Sequence, residues 1–304
     1  MRFSIWTTLS QPWTGVLDVA RHAEATGWDG IYVADHFMGS GGEWGPDTTP
    51  NLEATAALAA LAAATERLRL GSLVLGNTYR HPAVLASWAA TVDHVSGGRL
   101  LLGIGAGWQE NEHQQYGIEL PPPGARVQRL EEALLVLKGL LREERTTFGG
   151  AHYQLTDAVS EPKPVQTPLP LLVGGKGDRM LGVVARHADE WNMWGLADAV
   201  AERAAVLDRR CEAIGRDPES VKRSAQALVM LTEDRSAADA AIDRTGGRAM
   251  IAGSPDDFVD AVAEWQSIGL DEVIVPDFVL GTGARRAESM DAIIEAVTPE
   301  FRDG

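Results

Sequence analysis

The chain has 304 residues, a formal net charge of −16 and a single cysteine, Cys211. This length suits one α/β barrel domain with insertions, so we expect a single domain over residues 1–304. The acidity and the lack of a Lys/Arg cluster argue against a duplex-binding protein, and one cysteine excludes disulfide frameworks and cysteine-based metal sites.

The chain also lacks the apolar segments that direct proteins into or across membranes. The N-terminus, MRFSIWTTLS, contains no run long enough for a signal peptide. No stretch approaches the ~20 apolar residues of a membrane span, and a lone cysteine suits a reducing compartment. We therefore expect a cytoplasmic protein that acts on small molecules, with neither a membrane nor a nucleic acid partner.

Short runs of aliphatic and β-branched residues alternate with longer amphipathic stretches along the chain. Such alternation predicts a parallel sheet with helices between its strands, and eight runs match the strand number of a (β/α)8 TIM barrel. A doubly wound open sheet is the alternative, but the residues after the first run lack the G-x-G-x-x-G fingerprint of that fold. The predicted strands are residues 2–6, 30–34, 68–75, 99–104, 169–173, 189–194, 224–231 and 272–276.

Proline and glycine mark the predicted helix starts and two predicted insertions, residues 39–50 and 146–167. Thr49-Pro50 and Ser254-Pro255 each predict an N-cap followed by proline in the first helical turn. Asp257 has the spacing of a capping box with Ser254. Residues 146–167 interrupt the alternation, and Gly149-Gly150 within them predicts a small β-hairpin.

Asp35 and His36 follow the second predicted strand, at the carboxyl end where barrel enzymes place their active sites. Histidine exchanges protons near neutral pH, so we predict that His36 is the catalytic residue. A metal site is disfavoured, because His36, His81 and His113 lie on different loops without a ligand-spacing motif.

Tryptophans occur at or just beyond the predicted strand ends. Indole rings at these positions can form the walls of a pocket for a flat ligand, and ordinary core packing is the alternative for any one of them. We predict a substrate pocket formed by Trp6, Trp44, Trp108 and Trp194.

The fifth predicted strand runs into Gly174-Gly175-Lys176-Gly177. Glycines let backbone N–H groups approach an oxyanion, and the following helix N-terminus and the Lys176 ammonium add positive charge. This turn is therefore a candidate phosphate site, although it lacks the spacing and the Ser/Thr of a Walker loop.

Longer fragments of the chain carry a resemblance to a known family. They are 28–37 (WDGIYVADHF), 66–86 (ERLRLGSLVLGNTYRHPAVLA), 97–117 (GGRLLLGIGAGWQENEHQQYG), 129–141 (RLEEALLVLKGLL), 170–181 (PLLVGGKGDRML), 185–192 (ARHADEWN) and 269–275 (GLDEVIV). In this order and at these spacings, the chain resembles the luciferase-like monooxygenase superfamily. The Asp-His ending of the second strand resembles the sequence at this position in the F420-dependent oxidoreductase branch. Bacterial luciferases have a sequence similar to Glu-His-His there.

The resemblance implies roles for the matching positions. Asp35 is then the acidic residue near the deazaflavin, and His36 is the proton-handling histidine. Leu73-Val74 matches a non-proline cis peptide bond that forms a bulge behind the cofactor ring, and Asn111 and the glycine-rich turn match contacts to the cofactor's side chain and phosphate. The predicted cofactor-binding set is Asp35, Leu73, Val74, Asn77, Gly105, Asn111, Gly174, Gly175, Lys176 and Gly177.

One departure from the family pattern concerns the substrate. In the sugar-phosphate dehydrogenases of the F420 branch, a catalytic glutamate follows the G-x-G-x-G turn, whereas this chain has Trp108. The tryptophan that those enzymes carry after Asp-His-Phe is also missing, because Phe37 is followed by Met38. We therefore expect an apolar or aromatic substrate instead of glucose-6-phosphate.

The residues and the resemblance together predict an oxidoreductase that transfers a hydride between coenzyme F420 and a small organic substrate. The cofactor supplies the redox chemistry, and His36 supplies or removes the proton. An FMN-dependent monooxygenase on the same fold is the alternative, and a non-catalytic flavin-binding barrel is a second one. The resemblance also implies a homodimer.

Overall fold

The computed structural model describes residues 1–42 and 45–301. Its strands are β1 (Arg2–Trp6), β2 (Gly30–Val33), β3 (Arg69–Ser72), β4 (Leu75–Gly76), β5 (Leu100–Gly105), β6 (Thr146–Gly149), β7 (Gln154–Ala158), β8 (Leu171–Gly174), β9 (Glu190–Trp194), β10 (Lys222–Gln226), β11 (Leu228–Leu231), β12 (Met250–Gly253) and β13 (Glu272–Pro276). Within this part of the chain, eight parallel strands close into a ring in the order β1, β2, β3, β5, β8, β9, β10 and β13, with β13 pairing back to β1. The predicted (β/α)8 TIM barrel is confirmed.

Helices surround the barrel and bury their apolar faces against it. They are α1 (Trp13–Ala25), α2 (Ala54–Ala64), α3 (Pro82–Ser96), α4 (Glu110–Tyr116), α5 (Pro123–Arg142), α6 (Asp178–His187), α7 (Ala197–Glu212), α8 (Arg235–Arg244), α9 (Pro255–Ser267) and α10 (Ala284–Phe301). The main core lies between strands and helices, where Trp191, Phe258 and Trp265 are almost fully buried. In the described ranges, none of these helices has the length and hydropathy of a membrane span.

A polar network fills the barrel at the amino ends of the strands. The Glu272 carboxylate accepts hydrogen bonds from Ser4 Oγ (2.6 Å) and the Tyr32 hydroxyl (3.0 Å), and from an Arg69 nitrogen at 3.3 Å. Arg69 also pairs with Glu190. Burial and the nearby Glu272 charge raise the pKa of Tyr32, so the phenol remains a donor. These groups satisfy one another in the barrel interior and leave the carboxyl ends of the strands as the face available for a site.

Two local predictions are confirmed and one is wrong. Ser254 and Asp257 form a reciprocal capping box at the start of α9, and β6 and β7 form the predicted antiparallel hairpin. The predicted helix start at Thr49-Pro50 is wrong, since α2 begins at Ala54. There the Glu53 carboxylate accepts the Ala56 N–H and acts as the N-cap.

Two predicted strands are each divided in the structure. Residues 68–75 become β3 and β4, separated by a cis peptide bond between Leu73 and Val74. Residues 224–231 become β10, which belongs to the barrel, and β11, which leaves it to pair in parallel with β12. The sequence did not predict β12, and this added two-stranded sheet extends one side of the carboxyl-end face.

Candidate active site

A cavity of about 500 Å³ opens at the carboxyl ends of the barrel strands. Most of the predicted site residues lie in its wall, so the barrel brings together side chains that are far apart in sequence. The predicted residues that line it are Trp6, Asp35, His36, Leu73, Val74, Gly105, Trp108, Gly174, Gly175, Lys176 and Trp194.

Four other predicted residues do not lie in the described wall of this cavity. Asn77 is buried and donates its backbone N–H to the Gly105 carbonyl (2.9 Å). Asn111 donates its side-chain amide to the Gly39 carbonyl (2.8 Å) and so holds a neighbouring loop. Gly177 is the N-cap residue of α6, and Trp44 falls outside the described residues.

His36 is held in one orientation by a buried carboxylate. Its Nδ1 lies 3.0 Å from Glu112 Oε1, and the Glu112 side chain is fully buried while that of His36 is partly exposed. Glu112 also accepts the Phe37 backbone N–H (2.9 Å) and the Tyr79 hydroxyl. Since an ionised carboxylate only accepts hydrogen bonds, Nδ1 of His36 carries the proton. The other ring nitrogen, Nε2, is therefore the proton acceptor of the neutral imidazole.

The surroundings keep Glu112 ionised. Burial by itself raises the pKa of Glu112, but hydrogen bonds from His36, Tyr79 and the Phe37 N–H outweigh burial, and its pKa lies below the ordinary value. Burial and the hydrogen bond to Glu112 raise the pKa of Tyr79, which stays a neutral donor. The carboxylate can therefore orient His36 and stabilise an imidazolium that forms there.

Asp35, in the wall of the cavity, belongs to an ionic network. Its carboxylate accepts the Gly76 backbone N–H (2.9 Å) and forms two hydrogen bonds with the Arg80 guanidinium, at 2.5 and 3.0 Å. Arg80 also pairs with Glu53, the cap of α2. The network ties the loop after β2 to the loop after β4, so it fixes the position of the neighbouring His36.

The cis peptide bond between Leu73 and Val74 lies where the family resemblance implied it. Three glycines make room for this bulge. A Cβ built on Gly105 would lie 2.6 Å from a Val74 methyl, one on Gly174 would lie 3.2 Å from the same side chain, and one on Gly103 would lie 1.9 Å from the Ser72 carbonyl oxygen. The bulge therefore faces the cavity as an apolar surface that is supported closely from behind.

Replacing Gly103 with alanine is expected to destabilise the protein by about 1–3 kcal/mol or more, because the clash is with buried backbone that cannot move aside. Urea unfolding at neutral pH measures this loss. Gly149, in the β6–β7 hairpin, is the matched control, since a Cβ there meets nothing within 4 Å. Equal stability of the two alanine variants would show that the bulge does not depend on the space at Gly103.

Aromatic rings form one wall of the cavity. The Trp6 ring lies 5.6 Å from that of Trp194 and packs edge-on against Phe278 at 5.1 Å. Trp108 is 57% exposed at the mouth, and its ring lies edge-on to His36 at 5.3 Å. Trp6, Trp108 and Trp194, the described members of the predicted tryptophan set, therefore all line the cavity that His36 also lines.

The glycine-rich turn after β8 is only partly available for an anion. The Gly175 N–H, which the phosphate-site prediction included, donates to the Asn192 carbonyl (3.0 Å) and is therefore occupied. Gly175 has a φ of +138°, and its carbonyl accepts the Trp191 indole N–H. Lys176 is exposed and lines the cavity directly before α6. The charge of Lys176 and the N-terminal amides of α6 remain for an anionic group.

The chain matches the model of one protein family over residues 1–297, and that family is described as luciferase-like monooxygenase. The chain belongs to the luciferase-like monooxygenase family.

Among the residues that the structure describes, no group of three or more His, Cys, Asp or Glu side chains is arranged to hold a metal ion.

Relatives in the luciferase-like family include named F420-dependent enzymes. The F420-dependent glucose-6-phosphate dehydrogenase of Beutenbergia cavernae is 27% identical, over 92% of this chain and 91% of that protein. The enzyme of the same name from Kineococcus radiotolerans is 37% identical, over 57% of this chain and 50% of its own. The predicted relationship to the luciferase-like family is confirmed, and relatives with F420-dependent names match most of this chain.

Solved structures of low sequence identity share the fold. An F420-dependent tetrahydromethanopterin reductase from Methanopyrus kandleri superposes with a TM-score of 0.83 at 19% identity, covering 99% of both chains. An F420-dependent secondary alcohol dehydrogenase, with an F420–acetone adduct, gives 0.85 at 19% identity and 99% coverage of both. A long-chain alkane monooxygenase gives 0.82 at 15% identity, covering 99% of this chain and 91% of its own.

Glu112, like Arg80, is a residue of the candidate site to which sequence reasoning gave no role. It is separated from His36 by 76 positions, and in the sequence it is one of several polar residues in a short helix. One signal was present in the sequence. In a (β/α)8 barrel the loops after β2 and β5 meet at the carboxyl ends of the strands, so residues of these two loops are expected to lie close together.

Replacing Glu112 with glutamine is expected to cost about 1–3 kcal/mol of stability at neutral pH, since one amide cannot accept all three hydrogen bonds. A carboxyl whose pKa is lowered by folding stabilises the protein above its ordinary pKa, and this contribution is lost as the pH falls through the folded-state value. The gap between variant and wild type should therefore shrink in acid. Urea unfolding at several pH values measures this difference in stability. The control is Glu110→Gln, since Glu110 is an exposed residue of the same helix. A gap that does not change with pH would contradict this role.

Proposed function

We propose that this chain is an F420-dependent oxidoreductase that transfers a hydride between the deazaflavin and the hydroxyl- or carbonyl-bearing carbon of a small organic substrate. The observation that carries the proposal is the His36–Glu112 pair at the wall of an apolar cavity, with Nε2 of His36 as the proton acceptor. The names of the F420-dependent relatives support the cofactor.

The residues present fit a deazaflavin with a phosphate-bearing side chain. The side chains of Leu73 and Val74 offer an apolar surface in the cavity wall for the ring, and Gly105 and Gly174 lie in close contact with Val74. Lys176 lines the same cavity directly before α6 begins, and its ammonium supplies positive charge for the phosphate. When bound, the deazaflavin supplies a ring carbon that accepts or donates a hydride, and it reacts poorly with oxygen.

His36 handles the proton in this proposal. For an alcohol substrate, Nε2 accepts the hydroxyl proton as the carbon loses its hydride, and a carbonyl compound forms. The Glu112 carboxylate keeps Nδ1 protonated and stabilises the positive charge of the imidazolium. In the reverse direction the same imidazolium donates its proton to the carbonyl oxygen.

Two other parts of the chain orient the reactants. Trp6, Trp194 and Phe278 provide apolar surface that excludes water and suits an apolar or aromatic substrate. The Asp35–Arg80 pair holds the loop that carries His36. Positioning of this kind, together with proton transfer, is what a protein contributes when its cofactor supplies the redox chemistry.

The test is an anaerobic screen of secondary alcohols and ketones, in which the absorbance of oxidised F420 reports turnover. We expect turnover without oxygen and transfer of deuterium from the labelled carbinol carbon to the cofactor. Turnover that requires oxygen and reduced FMN, with none in the F420 assay, would overturn the proposal in favour of a monooxygenase.

A further inference from the structure

A second cleft, of about 690 Å³, lies beside the active-site cavity. It is bounded by the added sheet of β11 and β12, by α8, and by the residues that follow β13. None of the residues to which a catalytic role was given above lies in its described wall.

One part of the wall of this cleft is apolar, and the remainder is polar and includes Arg244 and Arg248. Leu228 and Met250 belong to a small hydrophobic cluster that is separate from the main core, and Met230 and Val279 are only partly covered, with Val279 42% exposed. Covering such exposed apolar surface with an apolar ligand lowers the free energy of the complex.

The cleft adjoins the active-site cavity. Thr8, Ser10 and Phe278 line both spaces. Phe278 packs edge-on against Trp6 on the active-site side, at 5.1 Å, and against the hydrophobic cluster on the other. One half-buried phenyl ring therefore stands between the two compartments.

We propose that the cleft is a second substrate compartment that takes an apolar chain of the substrate, and that Phe278 is the specificity-determining residue between this chain and the reacting group. The inference rests on the proposed function, since it places the reacting carbon beside His36. It narrows the substrate class to compounds with a hydroxyl or carbonyl group and an alkyl or aryl extension. The occupant follows from the shared wall of the two spaces, because a chain that passes Phe278 meets the apolar side chains of Leu228, Met230 and Met250.

Chain length is the variable that tests this inference. A homologous series of methyl alkyl ketones is titrated into the F420-loaded protein by calorimetry. Each methylene buried in the cleft is expected to raise the affinity about three- to fourfold. Val279→Trp fills the cleft from an exposed position that does not line the active-site cavity. This variant should bind short ketones like wild type and lose the gain for long ones.

Val84→Trp is the matched control, because Val84 is an exposed valine on α3, away from both spaces.

A second variant, Phe278→Ala, removes the ring between the two spaces and should allow branched or bulky ketones to bind. An affinity that stops rising at the same chain length in wild type and Val279→Trp would overturn the inference, as would an equal loss for short and long ketones.

The failure of this inference can be told from the failure of the proposed function. The same titration is run on the protein without F420, where the dependence on chain length reports the cleft alone. Normal F420-linked turnover of short ketones with no dependence on the cleft would refute the second compartment only. A dependence on the cleft without any F420 binding would refute the cofactor and leave the compartment in place.

Discussion

Replacing His36 with alanine is expected to lower kcat by about 10²–10⁴-fold, the usual contribution of a positioned general acid–base group. The affinity for F420 should not change, because the bulge and the Lys176 turn are separate from the imidazole. The reason for the loss is geometric: Nε2 of His36 is the proton acceptor that the Glu112 contact orients at the cavity wall. Steady-state turnover and cofactor titration of the same preparation give the two quantities.

The control for this variant is His152→Ala, since His152 is exposed at the tip of the β6–β7 hairpin. It should retain full turnover. If His36→Ala also retained full turnover with a proven substrate, His36 would not be the proton-handling residue. A loss of F420 binding with unchanged kcat at saturation would instead place His36 among the cofactor contacts.

Replacing Arg80 with methionine is expected to cost about 3–5 kcal/mol in the free energy of unfolding, because it leaves a buried carboxylate without its cation. The Asp35 side chain is almost fully buried, and Arg80 supplies two of its three hydrogen bonds. Methionine retains the apolar part of the arginine stem, so most of the loss should be electrostatic. Urea unfolding at neutral pH measures it.

Arg145→Met provides the comparison for a solvent-exposed ion pair. Arg145 pairs with Asp157, and both side chains are more than half exposed. Such pairs contribute about 0–1 kcal/mol. Similar losses in the two variants would contradict the view that Asp35 depends on Arg80 inside a poorly hydrated network.

The barrel itself could be predicted from the sequence, because its strands are short apolar runs separated by amphipathic helices. β1 and β13 have the predicted bounds, and the other barrel strands differ mainly at their ends. The division of residues 224–231 could not be predicted, since both halves are apolar and nothing local indicates that β11 leaves the barrel for β12. The prediction at Thr49-Pro50 was wrong because Glu53 caps α2 instead, and the pairing of Glu53 with Arg80 cannot be read from the local sequence.

The site was predictable for residues at single strand ends, because (β/α)8 barrels place their active sites at the carboxyl ends of the strands. This rule places Asp35, His36, Trp6 and Trp194 at one face, and the structure does so. The pairings between loops were not predictable, since Arg80 is 45 positions from Asp35 and Glu112 is 76 from His36. The occupied N–H of Gly175 was missed for a related reason, because its acceptor belongs to the neighbouring strand β9.

Titration of the purified protein with F420 and, separately, with FMN tests the proposed cofactor most directly. Trp6, Trp108 and Trp194 line the cavity, so a bound deazaflavin or flavin should quench tryptophan fluorescence. We expect saturable quenching by F420 at concentrations where FMN has little effect. Tighter binding of FMN than of F420 would contradict the deazaflavin assignment and favour an FMN-dependent monooxygenase.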